Sequence, residues 1–361
     1  MPRRHDDLIG EIADFGNLLE AVRLAARGKR CQPSCANFLA AQEKHLVRIS
    51  REIGEGSWQP GPYRAFTVHD PKTRMVSAAP FRDRVVHHAL CRVVAPLFER
   101  GFVDESYANR RGKGTHRAVA RYEHYRDRHA WALRCDIWRY FPAMDHQILK
   151  AGLRRRIACQ GTLRLLDAII DGSNPQEAVH HYFPGDDLFT PFERRRGLPI
   201  GNLTSQFFAN VYLDPLDHWI KQVLRAPGYV RYVDDFVLFG DDPEQLAEWR
   251  RRIDGFLAGR RLLLHPRKTR VVRTAAAAPF LGYVLLPGGR RRLDDANVDR
   301  FAGRLRALRQ AWSEGRIELD AVERRVGAWT AHARHADTWR LRVALFRNGL
   351  FDPRREPGRP F

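Results

Sequence analysis

Three aspartates stand where apolar runs end: Asp136 after Trp131–Cys135, and Asp234-Asp235 between Tyr229–Val233 and Phe236–Phe239. Paired carboxylates at a buried strand end repel one another and lose hydration unless a cation or a partner joins them. Taken alone, Asp234-Asp235 reads equally well as an acidic hairpin turn, because aspartate suits turns. Asp136 shifts that balance, since a second strand-end acid can converge with the first two on one sheet. Two or three carboxylates at one point can hold two divalent ions about 3.5–4 Å apart. One ion would activate a hydroxyl nucleophile, and the other would neutralise a triphosphate and its leaving pyrophosphate. Mg²⁺ suits such a site, because it binds through a few carboxylates plus substrate phosphates. Successive strand residues face opposite ways, so Asp234 and Asp235 need not act equally. Asp136 and Asp234 are expected to bridge both ions, with Asp235 more peripheral.

The elements that must position these acids follow from periodicity. Leu8, Ile12, Phe15, Leu18, Leu19 and Val22 predict a helix over residues 7–27, and a second runs from about Cys35 to Ile53. Gly54, Gly56, Pro60, Gly61 and Pro62 end it. Tyr63–Val68 and Met75–Ala79 read as short strands around a charged turn. Pro80 and Arg82-Asp83-Arg84 open a helix that buries Val85, Val86, Ala89, Leu90, Val93 and Val94. Leu198–Asp217 reads as a loop entering a long apolar helix. Leu262–Leu264, Thr269–Val272 and Phe280–Leu286 read as strands completing a mixed β region. Beyond Val298, apolar residues at steps of three and four predict a small helical bundle with an arginine-rich outside.

Among 361 residues, 62 Lys plus Arg face 42 Asp plus Glu, a formal charge of +20 with a pI near 10.5. That balance favours a polyanionic partner over a merely solvated surface. Arginine clusters at 154–156, 194–196, 250–252, 260–261 and 290–292 offer phosphate contacts without base reading. The cluster at 194–196 precedes the apolar helix and is favoured for template or triphosphate contact. No apolar run reaches the length of a membrane span, and the N-terminus leads into no signal-like segment. Five scattered cysteines suit a reducing cytoplasm, and Cys31 and Cys35 lack the companions of a zinc site.

In this order the motifs resemble the palm of reverse transcriptases, over about residues 8–346. The resemblance implies an α+β right-hand polymerase: fingers with N-terminal helices at 1–130, a palm with an antiparallel sheet at 131–295, and a helical thumb and tail at 296–361. An insertion belonging to the fingers would occupy about 150–197. Asp136-Ile137-Trp138-Arg139-Tyr140-Phe141 is similar to the first catalytic motif, which makes Phe141 a steric gate against ribonucleotides. Arg231-Tyr232-Val233-Asp234-Asp235 resembles the catalytic hairpin, and Lys268 a lysine that protonates pyrophosphate. Catalysis is thus expected from Asp136, Asp234, Asp235 and Lys268. Metal binding is expected at Asp136, Ile137, Asp234 and Asp235, with two Mg²⁺ ions. Lys72 and Arg74 resemble residues that hold the incoming dNTP, together with Phe141, Ile200, Gly201 and Gln206. Phe280-Leu281-Gly282 resembles the primer grip. Arg82-Asp83-Arg84 resembles a fingers signature with a structural and template-side role.

Gly197-Leu198-Pro199-Ile200-Gly201-Asn202-Leu203-Thr204-Ser205-Gln206 narrows the family. Most reverse transcriptases carry Gln at the position of Ile200 and Pro at that of Gln206. The present form resembles the enzymes of diversity-generating retroelements, within the group II intron-like superfamily, which misincorporate opposite template adenines. A Gln can hydrogen-bond the incoming nucleotide and Ile cannot, a loss of about 0.5–1.5 kcal/mol of geometric control. The resemblance implies template RNA, primer or cDNA and dNTPs as partners, with a small basic helical accessory variability protein. Only about a dozen residues follow the C-terminal helices, so an RNase H domain is not expected within this sequence. The alternatives are a retron, group II intron-like or phage-defence reverse transcriptase, an RNA-dependent RNA polymerase, or an RNA-binding relative without polymerisation.

Overall fold

Asp14 interrupts the first amphipathic stretch, so one expected helix becomes two. The computed structural model describes residues 4–69, 73–174, 176–177 and 179–346. Helix α1 spans Ile9–Ala13 and α2 spans Phe15–Ala26, with the Asp14 carboxylate accepting from the Asn17 N–H to cap α2. The expected helix from Cys35 to Ile53 also divides, into α3 (Pro33–Ala40) and α4 (Gln42–Glu55). Ala41 leaves the helical region there, with φ −129° and ψ 38°. Strands β1 (Arg64–Val68) and β2 (Arg74–Ala78) pair antiparallel, with Phe66 opposite Val76. Lys72 lies outside the described residues. Helix α5 (Phe81–Glu99) packs against α2 and buries Val85, Val86, Ala89, Leu90 and Val94.

Helix α5 also buries His87, which is 1% exposed and whose Nε2 has no hydrogen-bond partner. Burial, reinforced by the charges of His88 and Arg84, pushes its pKa down to about 3. The unfolded imidazole, near 6.5, therefore binds a proton that the folded one refuses. Stability is fully present above pH 6.5 and falls as the pH drops below it. Between pH 7 and pH 5 this histidine alone removes about 2 kcal/mol. Denaturant melts at the two pH values should show His87→Gln with a pH penalty smaller by about that amount; equal penalties would refute the assignment.

Helix α6 spans Thr115–Arg126 and leads to β3 (Trp131–Asp136). Short helices α7 (Tyr140–Ala143), α8 (His146–Arg154), α9 (Gln160–Asp171) and α10 (Thr190–Glu193) precede the long α11 (Leu203–Trp219). Helix α11 runs into a π-helical turn at Ile220–Leu224. Strands β4 (Gly228–Tyr232) and β5 (Asp235–Gly240) follow, then α12 (Pro243–Ala258) and β6 (Arg270–Arg273). The four strands form an antiparallel sheet in the order β4-β5-β3-β6.

Both faces of this sheet are covered, which explains runs that are apolar throughout rather than alternating. Leu133 and Cys135 of β3, Phe236 and Leu238 of β5 and Tyr229 of β4 enter the core shared with α5 and α11. Ala132, Val237, Phe239 and Val230 point the other way, into a second core with α6. That second core includes a separate antiparallel sheet of β7 (Ala278–Phe280), β8 (Tyr283–Leu285) and β9 (Arg291–Leu293). The expected single β region is thus two sheets. Leu262–Leu264 forms only an isolated bridge, Ile137 opposite Leu264, because His265-Pro266 turns the chain away. Helices α13 (Asp295–Ser313), α14 (Leu319–Ala333) and α15 (Trp339–Phe346) complete the described chain. Phe301 of α13 stacks on Trp329 of α14 at 3.7 Å between centroids. None of the described helices is long and apolar enough to cross a membrane.

Candidate active site

Strand register brings the three aspartates together. β3 and β5 pair so that Asp136 lies opposite Asp235, the first residue of β5. β4 and β5 pair Tyr232 with Asp235, so Val233 and Asp234 alone form the turn between them. The Asp234 carbonyl accepts from the Ile137 N–H at 3.2 Å, which ties the turn to the end of β3. Asp136 therefore has Asp235, rather than Asp234, as its cross-strand neighbour.

The electrostatics match a crowded acidic point. Burial first, then the charges of Asp234 and Asp136 and a hydrogen bond with Asp136, push the Asp235 carboxyl up to about 7. Burial raises Asp234 as well, with Asp136 adding to it and Lys268 and Arg74 opposing. Three carboxylates this close do not all stay ionised without added positive charge. Lys268 supplies one such charge, with Nζ 2.7 Å from Asp136 Oδ2. Among the described residues the acids do not form a ready three-ligand cage. Their chemistry fits a hard divalent cation: oxygen donors only, charge in excess, and a cation already drawn to Asp136. Ile137 offers only backbone, since its side chain is buried in the core.

The turn itself is held rather than relaxed. Val233 has φ +58°, a region that β-branched residues avoid. Such a conformation costs about 1–3 kcal/mol and persists only where its surroundings enforce it. Arg231 Nη1 donates to the Val233 carbonyl at 3.1 Å. The same guanidinium grips Asp217 in two bonds, Nε to Oδ1 at 2.6 Å and Nη2 to Oδ2 at 2.5 Å. Tyr229 also donates to Asp217, and Asn210 accepts from Arg231 Nη1 at 3.3 Å. Asn210 and Asp217 escaped the sequence reading. Their signal was present as two polar residues seven apart within the long helix Leu203–Trp219, a spacing that puts both on one face.

The residues expected to bind nucleotide lie on two sides of a loop–strand junction. The Ile200 carbonyl accepts from the Ser77 N–H at 3.1 Å, and Asn202 Nδ2 donates to the Ser77 carbonyl at 3.0 Å. Residues 200–202 are thereby stitched to β2. Gly201 has φ +110°, and a Cβ there would meet Val76 Cγ1 at 2.9 Å, so a side chain is excluded twice over. Gly201 and Gln206 line a cavity of about 880 Å³ with Arg64, Val76, Ala78 and the α2–α3 loop. Arg74 opens β2 and is near enough to lower the Asp234 pKa. Phe141 is half-buried against the core, and its carbonyl accepts from the Leu198 N–H at 2.9 Å. Phe280 is buried against Tyr122, at 4.8 Å between centroids, while Leu281 and Gly282 form the β7–β8 turn with φ +50° and +87°.

Many of the expected phosphate-binding arginines are engaged inside the protein. Arg194, favoured for template or triphosphate contact, forms two bonds to the buried Asp145. Arg154 pairs with Asp167, Arg261 with Asp186, and Arg291 with Glu123. In the 82–84 motif, Arg82 pairs with Glu52, Asp83 accepts from the Gly61 N–H at 2.7 Å, and Arg84 donates to the Ala79 carbonyl at 2.8 Å. Composition counts such charges but does not say which have partners.

The chain is 24% identical to Protein YkfC of Escherichia coli K12, over 67% of this chain and 71% of that protein. It is 21% identical to the Group II intron-encoded protein LtrA of Lactococcus lactis subsp. cremoris, over 50% of this chain and 29% of LtrA. The putative COX1/OXI3 intron 1 protein of Saccharomyces cerevisiae is 21% identical over 50% of this chain and 21% of its own length. The chain thus spans less than a third of these two intron proteins. A telomerase structure from Candida tropicalis superposes with a TM-score of 0.48 at 11% identity, covering 68% of this chain and 53% of that one. The description "Reverse transcriptase (RNA-dependent DNA polymerase)" matches residues 68–285, which hold Asp136, Asp234, Asp235 and Lys268, and the chain belongs to that family.

Proposed function

We propose that the chain copies a template RNA into cDNA with Asp136, Asp234 and Asp235 as the metal-holding acids and Lys268 as proton donor. The convergence of three strand-end carboxylates on one lysine is the observation that carries this reading. Reverse transcriptases use a divalent metal, typically Mg²⁺. Bound at these acids, a pair of such ions would lower the pKa of the primer 3′-hydroxyl and offset triphosphate charge. Asp136 and Asp234 orient that centre, and Lys268 stands ready to protonate the leaving pyrophosphate. Arg74 and Lys72 would hold the triphosphate, Phe141 would crowd a ribose 2′-hydroxyl, and Leu281-Gly282 would steady the primer end. In this reading residues 1–130 act as fingers, 131–295 as palm with a finger insertion at about 150–197, and 296–361 as thumb and tail. Template RNA, primer and dNTPs are the partners.

The finer reading is an enzyme of the diversity-generating type, joined by a small basic accessory protein. Ile200 supports it, since this chain has an aliphatic residue at the position where most reverse transcriptases carry a Gln able to hydrogen-bond the incoming nucleotide. The intron-encoded relatives favour a second reading, a group II intron-like enzyme of ordinary fidelity. Sequencing cDNA made by the purified protein on a defined RNA separates the two. Ile200→Gln is expected to lower misincorporation opposite template adenine by about three- to tenfold, the weight of one neutral hydrogen bond. An unchanged error spectrum would remove Ile200 from the fidelity account.

A further inference from the structure

We infer that Arg231, clamped by Asp217, is a positioning residue that holds the Val233-Asp234 turn in its strained, working shape. The turn is not self-supporting, because Val233 sits at φ +58° where glycine would be at ease. Relaxing it would rotate the Val233–Asp234 peptide and carry the Asp234 carboxylate away from Asp136. Two donors oppose that rotation. The Ile137 N–H holds the Asp234 carbonyl at 3.2 Å, and Arg231 Nη1 holds the Val233 carbonyl at 3.1 Å.

Arg231 can do this because its guanidinium is planar and forked. Nε and Nη2 are fixed on Asp217, which sets the plane and leaves Nη1 aimed at the turn. Tyr229 braces Asp217 at 2.6 Å, and Asn210 shares Nη1 while donating to the Ala108 carbonyl at 2.9 Å. Asp217, Arg231, Tyr229 and Asn210 are all 2% exposed or less. A buried ion pair is a weak source of stability, and well-packed apolar replacements are often neutral or better. The geometry points instead to a pair kept for where its spare N–H points.

Single-turnover and steady-state primer extension on Arg231→Lys tests this. Lysine keeps a positive charge beside Asp217 but cannot grip both carboxylate oxygens and the turn together. The expected result is kcat lower by about thirtyfold, the scale of a small misplacement of reacting groups. Primer–template Kd and dNTP KM should stay within about twofold, because neither contact is touched. Adding Val233→Gly to that variant should recover at least about fivefold in kcat, since glycine adopts positive φ without support. A merely structural role for Arg231 predicts no such rescue. If Arg231→Lys does not fold, the apolar pair Arg231→Met with Asp217→Leu carries the same test. A folded protein of either design with wild-type kcat, or an absent Val233→Gly rescue, would overturn the inference. The inference rests on the carboxylates performing the chemistry, so Asp234→Ala is assayed alongside. Activity surviving Asp234→Ala sinks that chemistry; activity lost there but intact in Arg231→Lys sinks only the positioning role.

Discussion

Asp234→Ala is expected to lower RNA-templated primer extension by at least about a thousandfold, while primer–template affinity stays near wild type. Metal-assisted stabilisation of developing charge is worth several kcal/mol, and each 1.36 kcal/mol is tenfold in rate. Asp234 should carry that full weight because its carboxyl sits at the meeting of β3, β4 and β5. Its pKa is raised by burial and by Asp136, so the site stores unfavourable negative charge that a cation relieves. Removing the acid relieves the repulsion on Asp235, whose carboxyl stands at about 7. The variant should therefore fold at least as stably as the wild type while losing activity. Melting curves and single-turnover extension, measured side by side, check both halves. Extension within tenfold of wild type would show that Asp234 is an acidic turn and nothing more.

Lys268→Met should lower kcat by about 10²–10⁴-fold, the range expected when a positioned proton donor is removed. Lys268 lies 2.7 Å from Asp136 Oδ2 and is about half exposed, so it can leave that carboxylate when substrate enters. Two roles are then open to it, a charge that steadies Asp136 and an acid that serves the leaving pyrophosphate. Lys268→Arg separates them, since guanidinium keeps the charge but does not give up a proton. Under the proton-donor role the Arg variant stays near the Met variant in kcat. Recovery to wild-type rate would leave only the charge role, and wild-type rate in the Met variant would leave neither.

The sequence displayed its chemistry more openly than its supports. Asp136 and Asp234-Asp235 were visible because each follows an apolar run, and a strand end is a local pattern. Their cross-strand register was not visible, since pairing Asp136 with Asp235 depends on where β3 and β5 align. Lys268 stood out through its place in the order of motifs, but its contact with Asp136 spans 132 positions of chain. Within the arginine clusters, Arg194, Arg261 and Arg291 look like free surface charge in sequence and instead meet Asp145, Asp186 and Glu123. Helix breaks at Asp14 and Ala41 were missed because apolar spacing continued across them.

Local pattern and composition by themselves determined that this chain has apolar strands ending in acids, a basic surplus and a helical C-terminal region. Those properties depend on residues near one another along the chain, where alternation and spacing are enforced by backbone geometry. The tertiary structure alone decided which face each strand shows to which core and which charges are paired. It also decided that Val233 is strained with Arg231 and Asp217 behind it. Such facts arise from contacts between distant segments, and a buried pair is chosen by what surrounds it once the chain has closed.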